Sequence, residues 1–290
     1  MQAELILEAQ AELGEGPAWD GRAGLLYWVD IRAGLLHLFQ PRTGSDRAIP
    51  VGEPLGCVAP CQDGNVVLGV RSGFARLDLA SGALTHLAFP EPHLPGNRFN
   101  DGKCDPAGRF LAGSMDDAEV EAAGSLYSLA GDGTWKTLRK GLRIPNGLAW
   151  SPDYRTFYHI DTPTRQVQAF DYDLERGEID HPRTVLSIPA ELGFPDGMTS
   201  DADGMLWIAL WGGAQVTRWD PATGRMLAGV PLPALRPSSC VFGGSGLTDL
   251  YVTTARTRLS AGQLKRYPLS GGLFRIQTGI QGLPTFAFGG

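Results

Sequence analysis

Short apolar runs separated by glycine-containing turns recur along the whole chain. Four of these runs follow turns of the type DGRAG, DPAG, SPDY or DADG, namely LLYWVD (25–30), RFLAGS (109–114), TFYHID (156–161) and MLWIAL (205–210). Other segments alternate apolar and polar residues on both sides of a turn, as in FARLDLASGALT (74–85), VQAFDYDLERGEI (167–179) and VTRWDPATGRML (216–227). This pattern predicts many short strands joined by hairpins. No segment keeps a helical period, so few helices are expected.

A polar residue followed by glycine precedes these runs at nearly regular intervals. The clear copies are Glu15-Gly16, Asp101-Gly102, Asn146-Gly147 and Asp196-Gly197, and the weaker ones are Leu55-Gly56 and Ser238-Ser239. Successive copies lie between 40 and 50 residues apart, and one four-stranded propeller blade takes about 40–50 residues. The sequence therefore predicts a single all-β domain over residues 1–290, a six-bladed β-propeller with four antiparallel strands per blade. An all-β sandwich with incidental periodicity is the alternative.

A propeller must close its ring, and the two ends of the chain offer strands for this. An apolar segment, Leu5-Ile6-Leu7, lies near the start, and LFRIQT (273–278) lies near the end. Pairing of the two within one blade would remove exposed strand edges.

Equivalent positions of different blades face one central axis, so residues far apart in sequence can meet there. On this reasoning Glu15, Asp101, Asn146 and Asp196 converge, and their oxygen atoms suit a hard divalent cation. A cation with open coordination positions would support hydrolysis of an ester or lactone. Two simpler interpretations stay open: a cation that only holds the blades together, or Glu15 and Asp196 as separate solvated turn residues.

A second polar cluster lies in GNRFNDGKCD (96–105), where Arg98 and Asn100 alternate with Phe99. In an extended segment both polar side chains point to the same face. Arginine donates through a planar fork and asparagine both donates and accepts, so the pair could hold a polyhydroxylated ligand. A solvated surface loop is the alternative.

Composition excludes several classes of function. The net charge is −6 without a basic run, so nucleic acid is not an expected partner. No phosphate-binding loop, nucleophile elbow or dinucleotide fingerprint occurs. Glu4 and Glu8 interrupt the opening apolar stretch, and no run reaches membrane-spanning length, so we expect no membrane partner and a cytoplasmic protein. The four cysteines form no zinc pattern, which favours buried reduced thiols. A monomer or weak homo-oligomer is expected.

Several motifs in this order resemble the SMP-30/gluconolactonase/LRE (regucalcin-like) family, in particular its bacterial sugar lactonases. The motifs are LGEGPAW (13–19), LYWVDI (26–31), NRFNDGKCDPAGRF (97–110), PNGLAWSPD (145–153), FYHIDT (157–162), DYDLERG (171–177) and PDGMTSDADGMLWIALWGG (195–213). The resemblance covers nearly the full length. It implies a six-bladed propeller that hydrolyses aldonolactones with one divalent metal ion, which could be Ca, Mn, Mg, Zn or Fe(II).

The resemblance also implies roles for individual residues. The metal ligands fall on Glu15 in LGEGP, Asn146 in PNG and Asp196 in PDGM, and the general base falls on Asp196 as well. The remaining repeat position, Asp101, is expected outside the ligand set, orienting Asn100 or a metal-bound water.

The family's substrate contacts fall on Arg98 and Asn100. A further acidic contact follows a GTM-like motif, here GSMDDAEV (113–120), in which Asp116, Asp117 and Glu119 all offer carboxylates. Asp117 is the favoured candidate.

Together these assignments predict hydrolysis of an aldono-1,4- or 1,5-lactone to the aldonic acid. The metal would polarise the lactone carbonyl, Asp196 would take a proton from the attacking water, and Arg98, Asn100 and Asp117 would orient the sugar hydroxyls. A carboxylate that binds a cation is a weak base, so Asp101 is an alternative base. The competing functions are a calcium-binding regulatory propeller without turnover and a phosphotriesterase-like hydrolase.

Overall fold

The computed structural model describes residues 1–290 and contains six four-stranded sheets arranged in a ring. Every strand pair that the sheets contain is antiparallel. The fold is therefore a six-bladed β-propeller, as the repeat predicted. In each blade the first strand lies on the ring axis and is almost wholly buried, whereas the last strand is the most exposed.

The strands follow each other from the axis outwards. Blade 1 contains β2 (Gly14–Asp20), β3 (Leu25–Asp30), β4 (Leu35–Gln40) and β5 (Ser45–Pro50). Blade 2 contains β6 (Leu55–Pro60), β7 (Val66–Val70), β8 (Gly73–Leu77) and β9 (Leu84–Ala88). Blade 3 contains β10 (Asn97–Cys104), β11 (Phe110–Asp116), β12 (Gly124–Leu129) and β13 (Trp135–Leu142).

The second half of the ring repeats this order. Blade 4 contains β14 (Pro145–Trp150), β15 (Thr156–Asp161), β16 (Gln166–Asp173) and β17 (Glu178–Ser187). Blade 5 contains β18 (Phe194–Ser200), β19 (Leu206–Trp211), β20 (Gln215–Asp220) and β21 (Arg225–Pro231). Blade 6 contains β22 (Pro237–Gly243), β23 (Asp249–Thr254), β24 (Leu273–Gln277) and β1 (Ala3–Leu7).

The ring closes through the start of the chain. Strand β1 is the outer strand of blade 6 and pairs with β24, placing Leu5 opposite Phe274 and Leu7 opposite Leu273. The predicted pairing of the two termini is thus confirmed.

Each inner strand has a β-bulge at its repeat pair. The register shifts between Glu15 and Ala18 in blade 1 and between Asn146 and Leu148 in blade 4, with equivalent shifts in the other four blades. Gly16 and Gly147 adopt left-handed φ angles of 49° and 45°, which glycine adopts without a steric penalty. A bulge bends the strand and can re-aim one side chain. In four of the six blades the bulge contains the polar residue and the glycine of the repeat.

Apolar side chains fill the space between neighbouring blades. Helical structure is limited to one α-helix, α1 (Ala261–Arg266), and three short 3₁₀ segments, Thr162–Thr164, Ala190–Leu192 and Ser245–Leu247. No helix has the length and apolar character needed to cross a membrane. All four cysteines are buried and unpaired, as expected.

The last ten residues cross the face of the ring where the inner strands end. The amide of Leu283 donates to Ser200 at the end of β18, and the amide of Phe288 donates to Pro60 at the end of β6. The Phe288 ring is buried between blades 2 and 3. This segment therefore covers one end of the central channel.

Candidate functional site

A pocket opens at the other end of the channel, where the inner strands begin. It encloses about 170 Å³, and 4 of its 15 lining residues are hydrophobic. Five of the sequence-predicted residues line it: Glu15, Arg98, Asn100, Asn146 and Asp196. Strands of blades 1, 3, 4 and 5 supply them.

Glu15 and Asp196 form an acidic floor with little contact to solvent. Both side chains are buried, at 5% exposure each. Burial, and then the charge of Asp101, raise the pKa of Glu15 to about 8 from 4.5. Burial and the charge of Glu15 raise the pKa of Asp196 well above its ordinary value. The Oδ1 atom of Asp196 has no hydrogen-bond partner although it is buried, and such a group normally has one.

Asp101 belongs to the same acidic group but does not line the pocket. Its Oδ1 accepts from the Gly102 amide at 2.7 Å, and burial raises its pKa while the charge of Lys103 lowers it. The Lys103 amine donates to the carbonyl of Met198 at 2.9 Å. Asp101 makes no hydrogen bond to Asn100, so an orienting role for it stays a prediction.

The amide of Asn146 has a fixed orientation. The Thr162 hydroxyl donates to the carbonyl of Pro195 at 2.8 Å, so its oxygen accepts from the Asn146 Nδ2 at 2.8 Å. This leaves the Asn146 Oδ1 directed away from Thr162, where it accepts from Asn100 Nδ2 at 2.8 Å. A carbonyl oxygen has two lone pairs, so one stays available to a cation.

Arg98 and Asn100 are buried side by side on β10. Arg98 Nη1 donates to the Oδ1 of Asn100 at 2.7 Å and to the Phe99 carbonyl at 3.0 Å, and Nε donates to Asp117 at 2.8 Å. None of these contacts uses Nη2. The arginine is therefore held rigidly with one nitrogen remaining for a ligand in the pocket.

Asp117 stands behind the pocket wall rather than in it. Its carboxylate accepts from Arg32 at 2.9 Å, from Arg71 at 2.5 Å and from Arg98 at 2.8 Å. Partial burial acts to raise the pKa of Asp117, but the hydrogen bonds from Arg98 and Arg71 lower it overall. Asp117 thus positions arginines, and a direct substrate contact by it stays a prediction.

Among the three carboxylates that follow Gly113, the structure places Glu119 in the pocket lining. Glu119 has a φ angle of 63° and accepts from Arg258 at 2.9 Å. The pocket is also lined by four residues that were not predicted from the sequence: Thr162, Arg32, Arg236 and Arg258. Of these only Thr162 lies in a quoted motif, FYHIDT, and the arginines lie in loops without periodicity.

The residues present fit a divalent metal ion. No three His, Cys, Asp or Glu side chains form a cluster that could hold an ion by themselves, so the amide oxygen of Asn146 is needed beside Glu15 and Asp196. This all-oxygen set suits Ca²⁺, Mg²⁺ or Mn²⁺. The unpartnered Oδ1 of Asp196 and the raised carboxyl pKa values are the features that a cation would relieve.

Comparison with known proteins shows a consistent set of relatives. A family model described as "SMP-30/Gluconolactonase/LRE-like region" matches residues 13–256. The chain is 38% identical to regucalcin of Oryctolagus cuniculus over 296 residues, covering 100% of this chain and 99% of the relative.

Two solved structures have nearly the same fold. A calcium-binding protein, regucalcin, from Agrobacterium tumefaciens is 29% identical with a TM-score of 0.94, covering 98% of this chain and 96% of that one. A luciferin-regenerating enzyme is 29% identical with a TM-score of 0.93, covering 99% of both chains. The resemblance read from the motifs is thereby confirmed.

Proposed function

Since the chain belongs to the SMP-30/gluconolactonase/LRE-like family, we propose that it hydrolyses a sugar lactone to the aldonic acid. The substrate would be an aldono-1,4- or 1,5-lactone. One divalent metal ion, held by Glu15, Asn146 and Asp196, would serve the reaction.

The observation that carries this proposal is the unpartnered, buried Oδ1 of Asp196 on the pocket floor. It lies with Glu15 and Asn146 in a cavity that Arg98 and Asn100 also line. A purely structural cation would not require a cavity beside it, whereas a hydrolytic site needs room for substrate and water. The oxygen donors and the adjacent polar wall together support catalysis on a hydroxylated ligand.

A bound divalent ion supplies Lewis acidity, which polarises an ester carbonyl and makes water easier to deprotonate. Asp196 is the residue we assign to accept the proton of the attacking water. Burial and the charge of Glu15 raise the pKa of Asp196 in the metal-free site, whereas a bound cation would lower it. With the cation bound, Asp196 would therefore act mainly by steering the proton from a water that is already easier to deprotonate.

Arg98 and Asn100 are the residues that would orient the sugar. The Nη2 of Arg98 can donate to a ring hydroxyl, while Asn100 is held by donating to the Pro145 carbonyl at 3.0 Å and to Asn146. Because their positions are set by protein contacts, little reorganisation would accompany substrate binding, and such preorganisation favours catalysis.

The main competitor is a calcium-binding propeller without turnover, which would use the same three ligands. It would have no need of Arg98 and Asn100 in the cavity. A phosphotriesterase-like site would need a mainly apolar pocket, and only 4 of the 15 lining residues are hydrophobic here. The polar lining thus favours a sugar lactone over both.

A pH-indicator screen tests the proposal. Metal-stripped protein, resupplied with single divalent cations, is assayed against aldono-1,4- and 1,5-lactones, a phenyl ester and a phosphotriester. We expect acid release from at least one aldonolactone above the spontaneous rate, and only with a cation present. Cation binding without turnover of any substrate would favour a calcium-binding regulatory propeller. Turnover of the phosphotriester alone would favour a phosphotriesterase-like hydrolase.

A further inference from the structure

The outer wall of the pocket carries an excess of positive charge. Arg32, Arg71 and Arg98 all bond to one carboxylate, that of Asp117. Three guanidinium groups on one carboxylate leave a surplus of two positive charges, because arginine stays protonated in proteins. Asp117 is only 20% exposed, so water screens this group less than it would a surface pair.

Arg236 adds a further charge that no carboxylate neutralises. Its guanidinium donates to the carbonyls of Thr257 and Arg258 and lies over the Trp211 ring at 4.9 Å. Burial and the charge of Arg258 lower the pKa of Arg236, whereas Glu119 acts to raise it. The only carboxylate near it, Glu119, is bonded to Arg258.

These groups surround one opening. Arg32, Arg236, Arg258 and Glu119 all line the pocket, and Arg71 is joined to this wall through its bond to Asp117. With Arg258 and Glu119 counted as a neutral pair, the ion pairs of the wall leave three positive charges without a carboxylate of their own, in a protein of net charge −6. A divalent cation on the floor would balance Glu15 and Asp196, so it would not neutralise this wall.

We propose that the lactone substrate carries an anionic group, a carboxylate or a phosphate, which Arg236 and Arg32 bind at the pocket mouth. This inference rests on the proposed function and narrows its substrate class to acidic sugar lactones. The guanidinium fork matches the geometry of both anions. A neutral lactone would leave the surplus charge of the wall unpaired.

The test compares two matched pairs of substrates with the metal-loaded protein. D-Glucaro-1,4-lactone is compared with D-glucono-1,4-lactone for the carboxylate, and 6-phospho-D-glucono-1,5-lactone with D-glucono-1,5-lactone for the phosphate. We expect kcat/KM to be roughly tenfold or more higher for the acidic member of at least one pair. The acidic substrate should have the lower KM at a similar kcat, because the anion binds away from the reacting carbonyl. The difference in KM should shrink with added salt.

Three variants identify the residue responsible. Arg236→Gln should reduce the acidic-to-neutral ratio of kcat/KM by about tenfold, and Arg236→Lys should reduce it less because the charge is kept. The matched control is Arg42→Gln on the exposed turn before β5, which should leave the ratio as in the parent protein.

The outcomes separate this inference from the proposed function. Equal kcat/KM within both pairs, or a preference that Arg236→Gln does not change, overturns the anion site while leaving lactone hydrolysis in place. An equal fall of the acidic-to-neutral ratio of kcat/KM in Arg236→Gln and Arg236→Lys also overturns the anion site, since the charge of Arg236 would then not be the cause. Absence of turnover with all four lactones overturns the proposed function and the anion site together.

Discussion

In the proposed mechanism Asp196 has the most demanding role, as both metal ligand and general base. Asp196→Asn keeps an oxygen ligand and nearly the same volume but removes a negative charge and the capacity to accept a proton. We expect weaker cation binding and a rate lower by about 10²–10⁴ even with the cation saturating, which is the usual loss for a general base. Steady-state kinetics across a cation titration measures both quantities.

If saturating cation restored near-normal turnover to Asp196→Asn, the residue would be a ligand only. The base would then have to be sought elsewhere, and Asp101 would be the first candidate because it is buried and its pKa is raised.

Glu15 should make the stability of the metal-free protein depend on pH. Its pKa is 4.5 as a free side chain and about 8 in the folded protein, so the folded state holds more protons than the unfolded state in this interval. The stability contribution is therefore present at low pH and is lost as pH rises from 4.5 to about 8. Each extra bound proton corresponds to about 1.4 kcal/mol per pH unit.

Thermal melts of the metal-stripped protein check this. The melting temperature should fall across that interval, and the gain on adding Ca²⁺ should grow with pH because the cation competes with protons. Glu15→Gln, which is neutral throughout, should show a flatter pH dependence. Parallel curves for the parent and Glu15→Gln would contradict the assignment.

At the scale of elements, the 3₁₀ segment that follows β15 positions Asn146, the proposed metal ligand on β14. Thr162→Val keeps the shape of the side chain but removes the oxygen that accepts from Asn146. The amide of Asn146 would lose its fixed orientation, and contacts of this kind typically change metal affinity about 10–100-fold. We expect cation affinity to fall within that range in calorimetric titrations.

Two variants give this experiment its controls. Thr162→Ser retains the hydroxyl and should recover most of the affinity. Thr164→Val changes a threonine in the same 3₁₀ segment. Its hydroxyl bonds only locally, donating to the Asp161 carbonyl and accepting from the Gln166 amide, so this variant should bind the cation normally. A similar loss in both valine variants would indicate a general effect on the segment.

The elements also show what the sequence could predict. The inner strands and the polar residues Glu15, Asn146 and Asp196 were predictable because the bulge recurs once per blade and five of its six copies carry a glycine. The sequence favoured Asp117 over Asp116 and Glu119 as the acidic contact, but it gave no sign that Glu119, with its left-handed backbone, lines the pocket. Arg236 could not be found at all, since only the closed ring brings its loop to the axis.

At the scale of the whole molecule, the C-terminal segment connects two distant blades, because Leu283 bonds to blade 5 and Phe288 bonds to blade 2. Phe288 is 2% exposed and packs between blades 2 and 3. Phe288→Ala should lower the free energy of unfolding by about 3–5 kcal/mol, the usual cost for a buried phenylalanine. Urea denaturation measures the loss, and Phe89→Ala, which removes a ring that is 53% exposed, is the control.

The same variant separates stability from activity. The C-terminal segment covers the channel end opposite the pocket, so the folded fraction of Phe288→Ala should retain its kcat/KM. A large loss of activity per folded molecule would show that the two ends of the channel are coupled.

The central claim is that one cation, bound on the axis by Glu15, Asn146 and Asp196, is required for lactone hydrolysis. Its most direct test is a titration of metal-stripped protein with a divalent cation, in which bound metal and lactonase rate are measured on the same samples. We predict that activity rises from the spontaneous background in proportion to occupancy and reaches its maximum at one ion per chain. Full turnover by protein verified to be free of metal would contradict the account.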